Sequence, residues 1–342
     1  MTQTNLPGIA VQGGDMSLAL DAAAWAERAG LPSVWTSEYS NRSALTTLAA
    51  AACTTAEINL GSSIAWAFAR TPLALATELR SISELAPGRV RLGLGTGNPQ
   101  ILRDWLDVST DEPVGRLVEL VGLLRQLWRL SEQAVEHDGR HFRCRIARDE
   151  SLQAMPRLPI LLAGGRAPML RAAGRIADGL IGNPLSSRAY VDEVVRPLLA
   201  EGASRRPDPA AAPPPITGLI LACVSDDAAI ARRTVALQVA VYAMRESTRQ
   251  VLVHAGFTAE AQAIAAAMAR RDLEAARGAV TDRMLDVLTV YGPPEEARQR
   301  WRAGFADLYE EPVLYLSDIG IDGTRLRLNL QSTIESFSAS MQ

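Results

Sequence analysis

The feature that most constrains this chain is a recurring pattern of short apolar strands, each followed by a helix. Residues 8–13, 33–38, 58–65 and 90–94 read as strands, with helices at 17–30, 43–55 and 72–86 between them. The helices carry start signals: Asp15 or Ser17 as N-cap of the first, Ser43 opening the second, and Pro72, after Thr71, in the first turn of the third. Such side chains accept from the free N–H groups of a first turn, and proline loses nothing there because its missing N–H had no partner. The repeat length is about 25 to 30 residues, the rhythm of consecutive βαβ units. The rhythm resumes with a helix at 114–130, then strands at 159–164, 179–181, 216–224 and 312–316, with helices at 167–177, 189–201 and 294–305.

Eight strands, nearly all too apolar to keep one face in water, fit a closed parallel (β/α)8 TIM barrel better than an open sheet. The 342 residues exceed the roughly 250 that such a barrel takes, so one domain over 1–342 has room for insertions. Three stretches break the rhythm. Residues 132–155 are charged and irregular and read as a two-stranded excursion or an ordered loop. Residues 205–215, R-R-P-D-P-A-A-A-P-P-P, form a stiff connection. Residues 226–288 are helical, with breaks expected near Gly256 and Gly278, and insert between strand 7 and strand 8. An insertion there serves as a lid or an oligomer contact; the plain alternative is a pair of ordinary outer helices.

Composition removes several function classes. Net charge is −3 and all 35 basic residues are scattered arginines, which gives no basic surface for nucleic acid or anionic membrane. Cys53, Cys144 and Cys223 lie too far apart for a zinc or disulfide pattern, so no metal is expected. The histidines, His137, His141 and His254, fall at no expected barrel strand end. HExxH, GxSxG and P-loop patterns are absent from the sequence. The opening M-T-Q-T-N-L-P-G has no basic or apolar leader region, and no apolar run approaches about 18 residues. A reducing cytoplasm is the expected location.

In a barrel the reactive groups sit where strands end and helices begin. Those positions hold Gln12, Gly13, Thr36, Ser37, Glu38, Tyr39, Arg42, Ser62, Ser63, Trp66, Thr96, Gly97, Asn98, Gly164, Gly165, Arg166 and Asn183. The rim is rich in hydroxyls and poor in ionisable groups. It suits a cofactor that is held by hydrogen bonds and carries the chemistry itself.

Within R-V-R-L-G-L-G-T-G-N-P at 89–99, Gly93, Gly95 and Gly97 allow close approach or positive φ. Asn98 stands where a dinucleotide fingerprint needs glycine, and the run follows the fourth strand, so it reads as a wall for a ring. L-A-G-G-R-A-P at 162–168 is the best anion site, because free N–H groups, a helix start and Arg166 converge there; the alternative is a tight βα turn. Glu38 is a candidate acid or base if desolvated, or else a partner for Arg42. Asn98 offers an amide to a ring edge or simply forms a turn.

The motifs together resemble the luciferase-like monooxygenase and F420-dependent oxidoreductase superfamily, in its methylenetetrahydromethanopterin reductase-like branch. The carriers are V-W-T-S-E-Y-S-N-R-S-A-L-T-T-L-A at 34–49, L-G-S-S-I at 60–64, A-R-T-P at 69–72 and P-G-R-V-R-L-G-L-G-T-G at 87–97. H-D-G-R-H-F at 137–142, P-I-L-L-A-G-G-R-A-P-M-L at 159–170, A-D-G-L-I at 177–181 and Y-G-P-P-E-E-A at 291–297 continue the pattern. The resemblance implies a cofactor on the barrel's C-terminal rim, F420 with FMN as the alternative. Ser62, Ser63 and Ile64 would form a bulge behind the ring, often with a non-prolyl cis peptide. Ser37, Thr96, Gly97 and Asn98 would line the ring, and Gly164, Gly165 and Arg166 would hold the phosphate. Glu38 or Tyr39 would handle a proton. Sugar-phosphate dehydrogenases of that branch carry Asp-His and a later Glu where this chain has Glu38-Tyr39 and Asn98, which argues against a sugar-phosphate substrate.

The leading expectation is therefore hydride transfer between F420 and an organic small molecule, by a homodimer. The rival enzyme reading is a two-component FMN monooxygenase served by a partner flavin or F420 reductase. A non-catalytic flavin-binding homologue is the reading from another class.

Overall fold

A computed structural model describes residues 6–98, 100–208 and 210–341. Pro99, the end of the glycine stretch, and residues 1–5 of the expected leaderless N-terminus lie outside the described residues. Twelve strands are present among those described: β1 (Gly8–Gln12), β2 (Ser33–Thr36), β3 (Asn59–Ser62), β4 (Ala65–Trp66), β5 (Val90–Gly95), β6 (Val135–Asp138), β7 (Arg143–Ile146), β8 (Ile160–Ala163), β9 (Gly179–Ile181), β10 (Ile216–Val224), β11 (Thr289–Gly292) and β12 (Glu311–Ser317). Eight of them close a parallel barrel in the order β1-β2-β3-β5-β8-β9-β10-β12. β12 returns to β1 over the register Gly8↔Val313 to Gln12↔Ser317. These are the eight strands that the sequence pattern predicts.

The first two helices start as the sequence suggests, and Thr71 adds a cap ahead of Pro72 in the third. Asp15 accepts from Leu18 N, Ser43 from Thr46 N and Thr71 from Ala74 N, at the starts of helices Met16–Arg28, Ala44–Thr54 and Pro72–Leu85. The barrel interior is packed from both ends. At the strand N-termini, Arg91 pairs with Glu311, whose second oxygen accepts from Thr217 Oγ1 at 2.8 Å. Above this plug the Trp35 indole is buried where Gly61 leaves room; a Cβ on Gly61 would overlap the ring.

Residues 132–155 form the antiparallel hairpin β6–β7, clamped by Glu119, which accepts from His137 Nε2 at 3.0 Å and Phe142 N at 2.9 Å. The insertion after β10 consists of helices Ala228–Ala243, Glu246–His254, Thr258–Ala269, Leu273–Gly278 and Asp282–Leu288. Gly256 breaks it with φ of 80°, whereas Gly278 ends a helix without positive φ.

Two elements were not legible. β11 is a four-residue strand, T-V-Y-G, pressed between a helix and Pro293; it pairs with residues 221–224 of β10 while β12 takes 217–221. Helix Gly323–Ser336 covers β10, with Asn329 Nδ2 at 3.3 Å from Cys223 Sγ.

Candidate active site at the barrel mouth

The third strand does not run through from 58 to 65. After Ser62 it bulges, and the Ser63–Ile64 peptide is cis, at the position where the resemblance places such a bond. Ser62 explains how the sheet survives the break. Its fully buried hydroxyl donates to Gly93 O and accepts from Gly93 N, each at 2.9 Å, filling the ladder gap before β4 rejoins β5. The Ser62 hydroxyl, expected at the cofactor ring, thus spends its proton and one lone pair on the sheet.

Gly93 and Gly95 are required for packing and neither has positive φ. A Cβ on Gly93 would overlap Ser62 O, and one on Gly95 would overlap Ile64 Cδ1. Only Gly97, with φ of 72°, uses glycine's conformational freedom. Thr96 Oγ1 donates to Gly97 O at 3.1 Å, and Asn98 Oδ1 accepts from Ile101 N at 2.8 Å. Asn98 therefore acts first as a turn former, starting the π-helical turn Ile101–Trp105. That turn leans Trp105 against Tyr39, with ring centroids 5.3 Å apart, and against Trp66 at 6.0 Å. The result is an aromatic wall on one side of the mouth, with Tyr39 and Trp105 half-exposed and Trp66 buried.

Glu38 is not free to act as an acid or base, nor does it pair with Arg42. Its Oε1 accepts from Arg70 Nη2 at 2.7 Å, and its Oε2 from Arg70 Nη1 at 3.1 Å and Trp66 N at 2.7 Å. Its own N–H donates to Ile64 O at 2.9 Å, so the residue grips the bulge from both sides. Burial opposes the charge on Arg70, yet pairing with Glu38 and Glu78 raises its pKa. Arg42 instead donates to Gly14 O, and burial pushes its pKa down against the pull of Asp15 and Asp318.

Ser37 Oγ donates to Ser63 O at 2.8 Å, and the Ser63 hydroxyl itself is buried and without a partner among the described residues. A buried hydroxyl without a partner beside an open mouth is a place for a ligand polar atom. Beside Ser37 stands Tyr315. Tyr315 donates to Gln12 Oε1, and Tyr242 OH donates to Tyr315 OH at 2.8 Å while standing 3.1 Å from Gln12 Oε1.

Across the mouth, the G-G-R turn meets the insertion. Helices Ala167–Ile176 and Glu246–His254 both begin without a side-chain cap; in the first, Pro168 has no N–H and Met169 N donates to Arg166 O, which leaves Ala167 N–H, and the second leaves N–H groups of its first turn for another acceptor. Gly165 lies between them; a Cβ there would stand 3.2 Å from Ser247 Cβ and 3.5 Å from Asn183 Nδ2. Asn183 Nδ2 reaches Ser247 Oγ at 3.4 Å, and Arg166 Nη1 faces Glu246 Oε2 at 3.5 Å. Gly164 leaves room for Met169, whose side chain a Cβ would strike. Hydroxyl, amide, guanidinium and two helix starts together form an anion cradle.

The donor set fits a flat cofactor with a phosphate: an unpartnered hydroxyl at the bulge and unused N–H groups in the cradle. Residues that sequence reasoning missed are Arg70, Trp105, Tyr242, Ser247 and Tyr315. Arg70 stands in the A-R-T-P motif at 69–72, which gives no role to its side chain; the others come from a loop, from the insertion, or from a strand position indistinguishable from core, and no motif marks them.

Comparison with known proteins agrees with this architecture. A family model described as luciferase-like monooxygenase matches residues 1–310. The 5,10-methylenetetrahydromethanopterin reductase of Methanolobus tindarius is 29% identical over 279 residues, 80% of this chain and 82% of that one. Among solved structures, the coenzyme F420-dependent tetrahydromethanopterin reductase of Methanopyrus kandleri superposes with a TM-score of 0.77 at 22% identity, over 98% of this chain and 100% of that one. The oxygenating constituent of 3,6-diketocamphane monooxygenase of Pseudomonas putida, solved with FMN, shares the fold with a TM-score of 0.69 at 15% identity, over 98% and 99% of the two chains. With so much of its length matched, and with the bulged barrel mouth that its motifs foretold, the chain belongs to the luciferase-like monooxygenase family.

Proposed function

We propose that this protein is an F420-dependent oxidoreductase that moves a hydride between the deazaflavin and an organic small molecule. The observation that carries the reading is the pairing, on one barrel face, of the Ser63–Ile64 bulge with the uncapped cradle at Gly165 and Ser247. A ring seat and a phosphate seat on one mouth are what a phosphate-bearing flavin or deazaflavin needs. The relatives named as F420-dependent enzymes or methylenetetrahydromethanopterin reductases favour the deazaflavin.

When bound, the deazaflavin supplies a two-electron hydride couple. The protein's part is orientation and exclusion of water. Ile64 and Gly95 form the floor, and Ser63 Oγ offers its hydrogen bond to the ring edge. Thr96 and Gly97 border it. Tyr39, Trp66 and Trp105 give an apolar wall against which a substrate face can lie. Gly164, Gly165, Arg166 and Ser247 hold the phosphate by backbone N–H groups, a hydroxyl and one charge.

Anaerobic incubation with chemically reduced F420 and a panel of carbonyl and imine compounds tests the reading. Return of the oxidised deazaflavin's visible absorption, dependent on one of those compounds, is the expected result. Turnover with reduced FMN only, and only in the presence of oxygen, would replace it with the monooxygenase reading. Turnover with neither cofactor would favour a non-catalytic homologue.

A further inference from the structure

Gln12, Tyr315 and Tyr242 come from the end of β1, from β12 and from the insertion helix Ala228–Ala243. Their hydrogen bonds have an unusual sense. Two phenolic hydroxyls stand within reach of one sp2 oxygen, Gln12 Oε1: Tyr242 donates its one proton to Tyr315 OH at 2.8 Å, and Tyr315 donates to Gln12 Oε1. Tyr315 is thus the direct donor to a carbonyl oxygen and Tyr242 backs it with a second hydrogen bond, a chain of the kind that strengthens a donor aimed at a reacting carbonyl. Both phenols are buried, at 2% and 3% exposure, whereas Gln12 is half-buried at the mouth and its Nε2 has no protein partner among the described residues.

The donors are held firmly. One turn before Tyr242, Gln238 Nε2 donates to Ser317 O at 3.0 Å, pinning the same helix to the end of β12. The Arg245 guanidinium lies 4.2 Å from the centre of the Tyr242 ring. Ser37, beside Tyr315, hydrogen-bonds the carbonyl of Ser63, so the pair is one residue removed from the bulge. Burial raises the pKa of both phenols, Tyr315 well above its ordinary value, which keeps them protonated as donors. The other acid expected at this mouth, Glu38, is held by Arg70.

We propose that Tyr242 and Tyr315 form a polarising site for a substrate C=O or C=N group, filled in the free protein by the Gln12 amide oxygen. The substrate is then an uncharged carbonyl or imine compound whose heteroatom displaces Gln12. This rests on the hydride-transfer reading above. In the step, the substrate carbon gains hydride from the reduced deazaflavin, which is oxidised by two electrons. The heteroatom gains a proton from a tyrosine hydroxyl, which recovers one from water after product leaves. The network supplies donors and no base, so it serves reduction.

The test uses 4-(dimethylamino)benzaldehyde, a dye whose absorption moves to the red when its carbonyl oxygen accepts hydrogen bonds. Wild type, Gln12→Ala, Tyr242→Phe, Tyr315→Phe and the double phenylalanine variant are each first titrated with F420. That titration reports the fold and the cofactor reading separately from the dye. Removing Gln12 empties the site, so Gln12→Ala is expected to bind the dye roughly tenfold tighter with a larger red shift. The double variant is expected to lose the shift. With the reduced-F420 assay, each single phenylalanine variant is expected to lose about 10²-fold in kcat. A red shift that persists in the double variant, or Gln12→Ala binding no better than wild type, would overturn the proposal. So would the absence of any shift in every protein.

Discussion

Glu38 and Arg70 form a two-point ion pair, at 2.7 and 3.1 Å, whose carboxylate also holds the backbone N–H of Trp66. Both side chains are largely shielded, at 6% and 15% exposure, so breaking one partner strands a charge. Arg70→Met is expected to cost about 3–5 kcal/mol of stability by urea denaturation. Adding Glu38→Gln to it should recover part of that loss. A full loss from Glu38→Gln alone in turnover, with unchanged stability, would return Glu38 to the chemistry.

Ser62 is the second support of the same bulge. Ser62→Ala leaves Gly93 N–H and C=O buried and unpaired where β3 and β5 separate. A cost of about 2–6 kcal/mol is expected, from roughly 1–3 for each of the two orphaned groups. Thermal melting of the variant measures it, and a melting point equal to wild type would show that the ladder gap closes some other way.

In the cradle, Glu246 stands 3.5 Å from Arg166, with both side chains more than half exposed. Its negative charge competes with a bound phosphate for the guanidinium. Glu246→Gln is expected to tighten a phosphate-bearing cofactor about two- to fivefold at low salt, since exposed pairs are worth about 0.2–1 kcal/mol. The gain should shrink as salt rises. Isothermal titration across salt concentrations reads both effects; unchanged affinity would move the phosphate away from Arg166.

Asp178 supplies an acid-sensitive contact below the site. Burial raises its pKa, but the Ile160 N–H and the Arg157 and Arg125 guanidiniums outweigh it and hold the carboxyl below its ordinary value. A carboxylate depressed in the folded state stabilises fully above the unfolded value of about 4, and that contribution fades as pH falls through the folded value. Stability should therefore drop on acidification below about pH 4. Asp178→Asn should lose about 2 kcal/mol at neutral pH and show a shallower acid slope in urea melts. Parallel slopes would contradict the assignment.

The barrel was legible because its strands are nearly continuous apolar runs between capped helices, and that local signal survives without tertiary information. The cradle was partly legible: G-G-R marks one helix start, but Ser247 lies in an insertion whose path over the mouth no local pattern encodes. Glu38 reads as an acid or an Arg42 partner because its true partner, Arg70, lies 32 residues on, and no local pattern shows that the chain beyond the bulge brings that guanidinium back. Ser62 looked like a rim hydroxyl for the same reason. Tyr315 reads as one more apolar residue of E-P-V-L-Y-L-S, and only barrel closure brings it to Gln12, 303 positions away.

The most direct test of the whole account is a pair of fluorescence titrations of the purified protein, one with F420 and one with FMN. Saturable F420 binding is expected, weakened in Ser247→Ala and Arg166→Ala protein, with FMN binding much more weakly. Tight binding of FMN alone would contradict the account, and so would F420 binding untouched by both cradle substitutions.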